Sequence, residues 1–467
     1  MKPSSNSLNL ALYYSLLFFA LAKKEFVYET NEEAQHYHTL QLNSFLPSSN
    51  CTPSAKGDKK AGYLEVVHIH GPCSKLSEDM VTPLTVEEIF THDQSRVDSI
   101  RARLTTGSKT TLPAIPGSII GSSNYIVTVG LGTPTKYLSL VFDTGSVLTW
   151  TQCQPCDGTC YTQLEPIFAP SASTTYSNIS CRSTKCVGLA SATSNKPGCS
   201  SNKCIYRINY GDKSFTTGLF GKDKLKLTSK DIVNDFYFGC GQNNQGTFNG
   251  AAGLLGLGRD NLSIVSQTAT KYGKVFSYCL PSKSSATGYL TFGSSIVSKN
   301  VKYTPFSPQS QGSNFYGLDL LAIYVSGTKL AISPTVFTSA GMIIDSGTVI
   351  TRLPPTAYSA LRKAFRAGMK KYKLTKPFSI LDTCYDVTNT SNVTIPKISM
   401  LWGGNVLVET PPSGIIYKNG NSQVCLAYAS NMKDSELAVF GNFQQQTLQV
   451  VYDENAKKVG FAPGGCA

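Results

Sequence analysis

The sequence predicts an all-β chain of two related lobes preceded by a segment of a different kind. Three observations lead there. A chain of 467 residues is too long to close around one compact core. Short apolar runs broken by Gly and Pro turns, the pattern of strands, continue from about residue 118 to the C-terminus. Above all, one stretch occurs twice. Leu138-Ser139-Leu140-Val141-Phe142-Asp143-Thr144-Gly145-Ser146 is an apolar run that stops in a carboxylate, a hydroxyl and a glycine, and Gly341-Met342-Ile343-Ile344-Asp345-Ser346-Gly347-Thr348 repeats the same grammar. The interval between the two Asp residues, about two hundred positions, suits a duplicated lobe.

Each apolar run reads as a buried strand feeding a tight turn, an element that can hold one carboxylate rigidly. Two copies suggest that Asp143 and Asp345 meet. Facing carboxylates cannot both ionise freely, because one negative charge disfavours the other, so one stays protonated. The ionised member can take a proton from a water while the protonated member hydrogen-bonds to the carbonyl under attack, which is amide hydrolysis without a metal or a covalent intermediate. Gly145 and Gly347 let the backbone approach the carboxylates, where a β-carbon would intrude. Ser146 and Thr348, three positions after each Asp, can donate to the outer carboxylate oxygens. A single Asp-[Ser/Thr]-Gly arises by chance in roughly one chain in five of this length. Two copies, each behind an apolar run and before a hydroxyl residue, favour chemistry over an ordinary post-strand turn.

Asp143-Thr144-Gly145-Ser146 paired with Asp345-Ser346-Gly347-Thr348 resembles the pepsin family of aspartic proteases, where a shared-proton Asp pair does this work. The resemblance implies the bilobal pepsin-like fold with a central cleft, no metal and no cofactor. It implies that Thr144 and Ser346 bond across to the opposite lobe's backbone. Trp150, seven positions after Asp143, would support a flap tyrosine, Tyr210 in Tyr210-Gly211-Asp212-Lys213-Ser214. Gly253-Leu254-Leu255-Gly256-Leu257-Gly258 and Ala438-Val439-Phe440-Gly441-Asn442 would pass behind the two catalytic loops, and Val459-Gly460-Phe461-Ala462-Pro463 would form the last strand. Tyr125 to Pro134, with the run into Asp143, reads as a β-hairpin opening the first lobe. Pro354 to Lys370 is the clearest helix of the second.

The first 22 residues read as a secretory signal peptide, with Lys2, an apolar stretch from Leu8 and the small-residue end Ala20-Leu21-Ala22. Residues 23–117 read as a removable prosegment. It contains one alternating strand, Tyr63 to His70, and a helix opened by the capping box Thr85-Val86-Glu87-Glu88 and running through Leu104. Arg96, Arg101 and Arg103 on that helix could pair with the two carboxylates at neutral pH. Thr106 to Thr111 is a linker suited to cleavage, with the mature chain expected to begin between about Thr111 and Gly121. The first lobe is expected over 118–300 and the second over 301–467. His68, His70 and Cys73 also have a metal-like spacing, which an alternating strand explains as well.

Fourteen cysteines behind such a leader imply an oxidising compartment and disulfides. Seven lie between Cys153 and Cys204 in a Ser/Thr/Asn-rich segment that no periodicity organises, so bridges must hold it. Cys153, Cys156 and Cys160 could suggest zinc, yet no His lies near them. Spacing alone leaves many pairings open. The cysteine-rich insertion over 153–204, together with Leu64-Glu65-Val66-Val67-His68-Ile69-His70-Gly71-Pro72-Cys73, resembles the nepenthesin-like plant aspartic proteases. That resemblance implies the pairs Cys153–Cys156, Cys160–Cys240, Cys181–Cys204, Cys186–Cys199, Cys279–Cys466 and Cys384–Cys425. The chain departs from it at Val147, where a polar residue is common, and at Lys213 in the flap, where Gly is usual. Sequons at Asn50, Asn178, Asn261, Asn389 and Asn392 fit the secretory route.

Net charge is +13. The excess lies after residue 117, since residues 23–117 carry ten Lys/Arg against twelve Asp/Glu. Scattered basic residues commonly just solvate a surface, and no aromatic-interleaved basic stripe is present, so specific nucleic-acid binding is not expected. The leading reading is therefore a secreted, apoplastic, monomeric aspartic endopeptidase acting on protein or peptide substrates, with no membrane span in its mature form. A vacuolar or plastid location is the less favoured alternative. Two other functions share the resemblance: a non-catalytic binding protein like the plant inhibitors of xylan-degrading enzymes, and a plastid DNA-associated aspartic protease. The inhibitors typically lose part of one Asp motif, whereas both are whole here.

Overall fold

The computed structural model describes residues 36–45, 48–54, 61–76, 85–105, 125–210, 214–246, 248, 250–295, 297–310 and 312–466. The expected signal peptide, the expected linker with its cleavage region, and Lys213 lie outside the described residues. In chain order, the elements that place the site are β1 (Tyr37–Gln41), β2 (Tyr63–His68), α1 (Val86–Thr105), β3 (Tyr125–Leu131), β4 (Lys136–Asp143), β5 (Trp150–Gln152), β6 (Lys203–Asn209), β7 (Phe215–Lys226), β8 (Ile232–Gln245) and β9 (Gly253–Gly256) in the first half. In the second half they are β10 (Tyr316–Leu318), β11 (Met342–Ile344), β12 (Thr351–Leu353), α2 (Pro355–Gly368), β13 (Asn392–Pro396), β14 (Tyr428–Ser430) and β15 (Ala438–Phe440).

The duplication read from the sequence is present in the strand pairing. In the first half β3 runs antiparallel to β4, β4 parallel to β9, β9 antiparallel to β5, and β5 parallel to β8. In the second half β10 runs antiparallel to β11, β11 parallel to β15, β15 antiparallel to β12, and β12 parallel to β14. Each catalytic strand thus has a Gly-flanked apolar strand slotted between it and the strand that follows the Asp loop. Strands buried on both faces read as continuous apolar runs, which is why Leu138 to Phe142 and Met342 to Ile344 lack alternation.

The two halves are joined in a fifteen-stranded sheet. The C-terminal strands Gln449–Asp453 and Lys458–Ala462 cross back to pair with Val275–Cys279 and Lys302–Pro305. A cut at residue 300 therefore falls inside a shared sheet.

The segment before β3 is woven into both halves. β1 pairs antiparallel with β13, Tyr37 opposite Pro396 and Gln41 opposite Asn392. β2 sits between β3 and the strand Thr287–Phe292. Cys51 and Cys73 form a disulfide, so Cys73 is no thiolate ligand for the His68 and His70 beside it. α1 opens with the expected capping box: the Thr85 amide donates to Glu88 Oε2 (2.7 Å) and the Glu88 amide to Thr85 Oγ1 (3.2 Å). Phe90, Asp93, Arg96, Val97 and Ile100 are buried on one helical face, with His92 buried at its edge. Burial of Phe90, Val97 and Ile100 contributes about 1.5–3 kcal/mol each.

The disulfides correct four of the implied pairings. Cys153 joins Cys240 instead of Cys156, and Cys156 joins Cys160 instead of leaving Cys160 to Cys240. Cys181 joins Cys199 instead of Cys204, and Cys186 joins Cys204 instead of Cys199. The reason is tertiary. β5 lies beside β8 with Thr151 opposite Cys240, and the Cys153 amide donates to Gly241 O (2.7 Å), which carries Cys153 alongside Cys240. Cys204 lies on the buried face of β6 and meets Cys186, which is 1% exposed, while Cys199 sits in an exposed strand and meets the half-buried Cys181. Cys279–Cys466 and Cys384–Cys425 pair as implied, and no cysteine is free. Proteolytic mapping of the unreduced protein is expected to return the Cys186–Cys204 and Cys181–Cys199 cross-linked peptides. Recovery of Cys181–Cys204 would contradict this packing.

Candidate active site

β4 and β11 deliver Asp143 and Asp345 to one buried point, each carboxylate at most 1% exposed. The two loops lock together by reciprocal bonds: the Thr144 amide donates to Ser346 Oγ (3.0 Å) and the Ser346 amide to Thr144 Oγ1 (2.9 Å). Within each loop the second residue after the Asp donates its amide to the inner oxygen, Gly145 to Asp143 Oδ1 (2.9 Å) and Gly347 to Asp345 Oδ1 (3.1 Å). The third donates its hydroxyl to the outer oxygen, Ser146 to Asp143 Oδ2 (2.5 Å) and Thr348 to Asp345 Oδ2 (2.6 Å). A β-carbon on Gly145 would stand 2.7 Å from Asp345 Oδ1, and one on Gly347 2.6 Å from Asp143 Oδ1. Glycine is the only residue that lets the loops close this far.

The space between the inner oxygens is filled by Arg96 from α1. Its Nη2 donates to Asp143 Oδ1 (2.6 Å) and Asp345 Oδ1 (2.9 Å), and its Nε donates to Asp345 Oδ2 (2.9 Å). Burial alone would raise the Asp345 carboxyl, but the Arg96 charge and the bonds from Arg96, Thr348 and Gly347 hold it below the usual carboxylate range. Burial opposes the charge on Arg96, and the two carboxylates outweigh it, so the guanidinium is held firmly charged.

Of the three arginines expected to reach the carboxylates, only Arg96 is seen there. Arg101 instead pairs with Asp98 (3.3 Å) and Glu436 (3.3 Å) and donates to Asn431 and Leu437 O. Five residues along a helix turn the side chain by about 140°, away from the dyad. The Arg103 side chain lies outside the described residues.

Trp150 is fully buried and donates from Nε1 to the Tyr210 hydroxyl (2.7 Å), at the end of the β6–β7 hairpin where the Tyr210 amide bonds Ser214 O (3.0 Å). Val147 is buried among apolar neighbours that include Leu148 and Trp150, behind the first Asp loop.

Sequence reasoning missed a second cluster one helical turn from Arg96. Asp93, fully buried, accepts from the amides of Val349 (2.6 Å) and Ile350 (3.1 Å) and pairs with Arg352 Nη2 (3.0 Å). Arg352 is 0% exposed; it also donates to Ile350 O (2.8 Å) and Gln94 Oε1 (3.2 Å). Spacing could have pointed to Arg352 alone, since it follows Asp345 by seven positions as Trp150 follows Asp143. Asn442, at the end of the stretch expected behind the second loop, donates its side-chain amide to Ser346 O (2.9 Å).

A duplicated β fold that brings one Asp from each half to a cross-bonded pair of loops is the architecture of a pepsin-like aspartic protease. Comparison places the chain more closely: it belongs to the plant pepsin-like aspartic protease family. Residues 125–294 match the family model described as Xylanase inhibitor N-terminal, and residues 315–463 the one described as Xylanase inhibitor C-terminal. An aspartyl protease family protein of Arabidopsis thaliana is 55% identical over 441 residues, covering 92% of this chain and 93% of that protein. Aspartic proteinase nepenthesin-1 of Nepenthes gracilis is 38% identical over 358 residues, covering 74% and 79%. Among solved structures, edgp (TM-score 0.61, 21% identity, 73% of this chain and 92% of that one) and basic 7S globulin from soybean (0.59, 19%, 73% and 94%) share the fold. The protein is an aspartic-type endopeptidase with peptide substrates. Among the described residues, no helix is long and apolar enough to cross a membrane.

Proposed function

We propose that this protein is a secreted precursor, held inactive by residues 23–117, whose processed form hydrolyses peptide bonds at acid pH through a water activated by Asp143 and Asp345. The observation that carries this reading is the Arg96 guanidinium between the inner oxygens of both carboxylates. That is the place a water and a scissile carbonyl must share, so α1 and a substrate exclude one another. With α1 gone, the like charges force one proton onto the pair. The ionised carboxylate then takes a proton from the water as its oxygen attacks the carbonyl carbon. The protonated carboxylate donates to the carbonyl oxygen, and collapse of the tetrahedral intermediate releases the amine with a proton returned from the pair. Thr144 and Ser346 keep the loops in register, and Tyr210, held by Trp150, closes over the substrate as the flap. The enzyme works as a monomer and needs no cofactor.

Secretion is supported by the leader, by the seven disulfides and by the exposure of Asn178, Asn261, Asn389 and Asn392, the proposed glycosylation sites. The test is a peptide digest across pH by acid-treated protein, with product sequencing. The expected profile is bell-shaped with its optimum in the acid range, because one carboxylate must be ionised and its partner protonated. Hydrolysis only at neutral pH, or none by a protein cut between Thr111 and Gly121, would defeat the proposal. The xylanase-inhibitor family descriptions favour one second reading, a binding protein, in which the processed chain would block a xylanase and leave peptides intact.

A further inference from the structure

We infer that Val349, Ile350 and Arg352 form a carboxylate-binding subsite beside the catalytic pair, and that the processed enzyme uses it to prefer substrates carrying Asp or Glu next to the scissile bond. This rests on the protease reading and names a specificity for it.

The Asp93 carboxylate stands in for the substrate's side chain. It receives two backbone amides from the loop that follows Asp345, Val349 N to Oδ1 (2.6 Å) and Ile350 N to Oδ2 (3.1 Å), and the Arg352 guanidinium on Oδ2 (3.0 Å). With α1 docked, all of this is enclosed. Asp93 and Arg352 side chains are 0% exposed, and Phe90 closes one flank among Val349, Ile350 and Leu381, its ring 5.4 Å from that of Tyr417. A charge-assisted contact of this kind, shielded from water, is stronger than a neutral one.

Val349, Ile350 and Arg352 belong to the enzyme, whereas Phe90, Asp93 and Gln94 belong to α1. When α1 leaves, Arg352 loses Asp93 and Gln94 and keeps the Ile350 carbonyl at 2.8 Å. The Arg352 cation and the two amides are then left facing one spot with no anion there. Location fits a substrate too. Asp93 precedes Arg96 by three residues, about 4.5 Å along a helix axis, and Arg96 marks the catalytic point. An extended peptide advances about 3.3 Å per residue, so the acidic side chain belongs one to three positions from the scissile bond. The duplicated fold adds a second argument. Trp150, the first-half counterpart of Arg352, bonds the tyrosine of the proposed flap, and Arg352 bonds Asp93 of α1, so each residue seven positions after an Asp holds an element placed beside the catalytic pair.

The test uses processed enzyme and a peptide series that differs only by Glu or Gln at each position flanking one cleavage site. At pH 5.5 the Glu peptide is expected to have at least a 10-fold higher kcat/KM than its Gln twin at one position within three of the bond. Arg352→Met should bring that ratio toward one, and Arg352→Lys should keep part of it. In the unmutated enzyme the ratio should collapse as pH falls below about 4.3, where free Glu takes up its proton. That arm decides the matter if the variants do not fold. A ratio near one at every position, in enzyme that cleaves the Gln peptides, overturns the subsite and leaves the protease reading intact. Failure to cleave any peptide counts against the protease reading. Binding of a synthetic peptide of residues 85–105 to processed protein then decides the subsite: Asp93→Asn in that peptide should weaken binding about 10-fold or more, and equal affinity overturns it.

Discussion

Asp143→Asn and Asp345→Asn are each expected to abolish peptide hydrolysis by processed protein, by on the order of 10⁴-fold in kcat, the scale seen when a catalytic group is removed from other hydrolases. The physical reason is that Asn cannot be ionised and cannot share a proton, so the pair loses either its base or its acid. The fold should survive. Asn can keep its oxygen for the Gly145 or Gly347 amide and turn its NH2 to the Ser146 or Thr348 hydroxyl, which then accepts, and the Thr144–Ser346 cross-bonds do not involve the carboxylates. Either precursor variant has to be cut by a trace of active enzyme, since it cannot process itself, and pepstatin-type inhibition should track activity in the unmutated protein. Full activity in either variant would move the chemistry to other residues.

Arg96→Gln is expected to make the precursor process itself at a pH at least about one unit higher than the unmutated chain, read as the midpoint of cleavage on gels. Removing one partner of a buried ion pair costs about 3–5 kcal/mol. That weakens docking of α1 by roughly 10²- to 10⁴-fold. The sign follows from the direction of the Asp345 shift. Arg96 depresses that carboxyl in the docked state, so its contribution to docking is present above the undocked pair's range and is lost as pH falls through the depressed value. Asp93 acts in the opposite sense. Burial raises its carboxyl, against the pull of Arg352, the Val349 and Ile350 amides and Arg96, so the docked form holds that proton more readily and acid does not expel α1 through Asp93. The catalytic pair therefore carries an acid trigger that taking Arg96 away should loosen; His92 on α1, whose imidazole burial pushes down, adds a second of the same sign, since its protonation also opposes docking. An unchanged midpoint would place the trigger elsewhere. Phe90, Val97, Ile100 and the Asp93–Arg352 pair still hold the helix in this variant, so the shift should be graded and not complete release.

The local features were legible without coordinates. Two apolar runs ending in Asp-[Thr/Ser]-Gly announced two rigid carboxylates, because strand burial and a Gly turn are short-range demands that a few adjacent residues satisfy. The Thr85–Glu88 box announced the start of α1 for the same reason. Duplication was legible because it repeats in the chain itself. What the sequence left open is what depends on closure over long separations. Cys186 could not be matched to Cys204 in place of Cys199, since β6 and its neighbouring exposed strand put both candidates opposite one another, and only burial decides which meets Cys186. Three arginines lay on one helix, and the rotation of that helix against the second half selected Arg96 for the carboxylates and Arg101 for Glu436. Asp93 and Arg352, 259 positions apart, carried no mutual signal. By itself the sequence determined the chemistry of the two loops, because each is built from contiguous residues. Only the tertiary structure decided what faces them, because a buried charge finds its partner through packing and not through spacing along the chain.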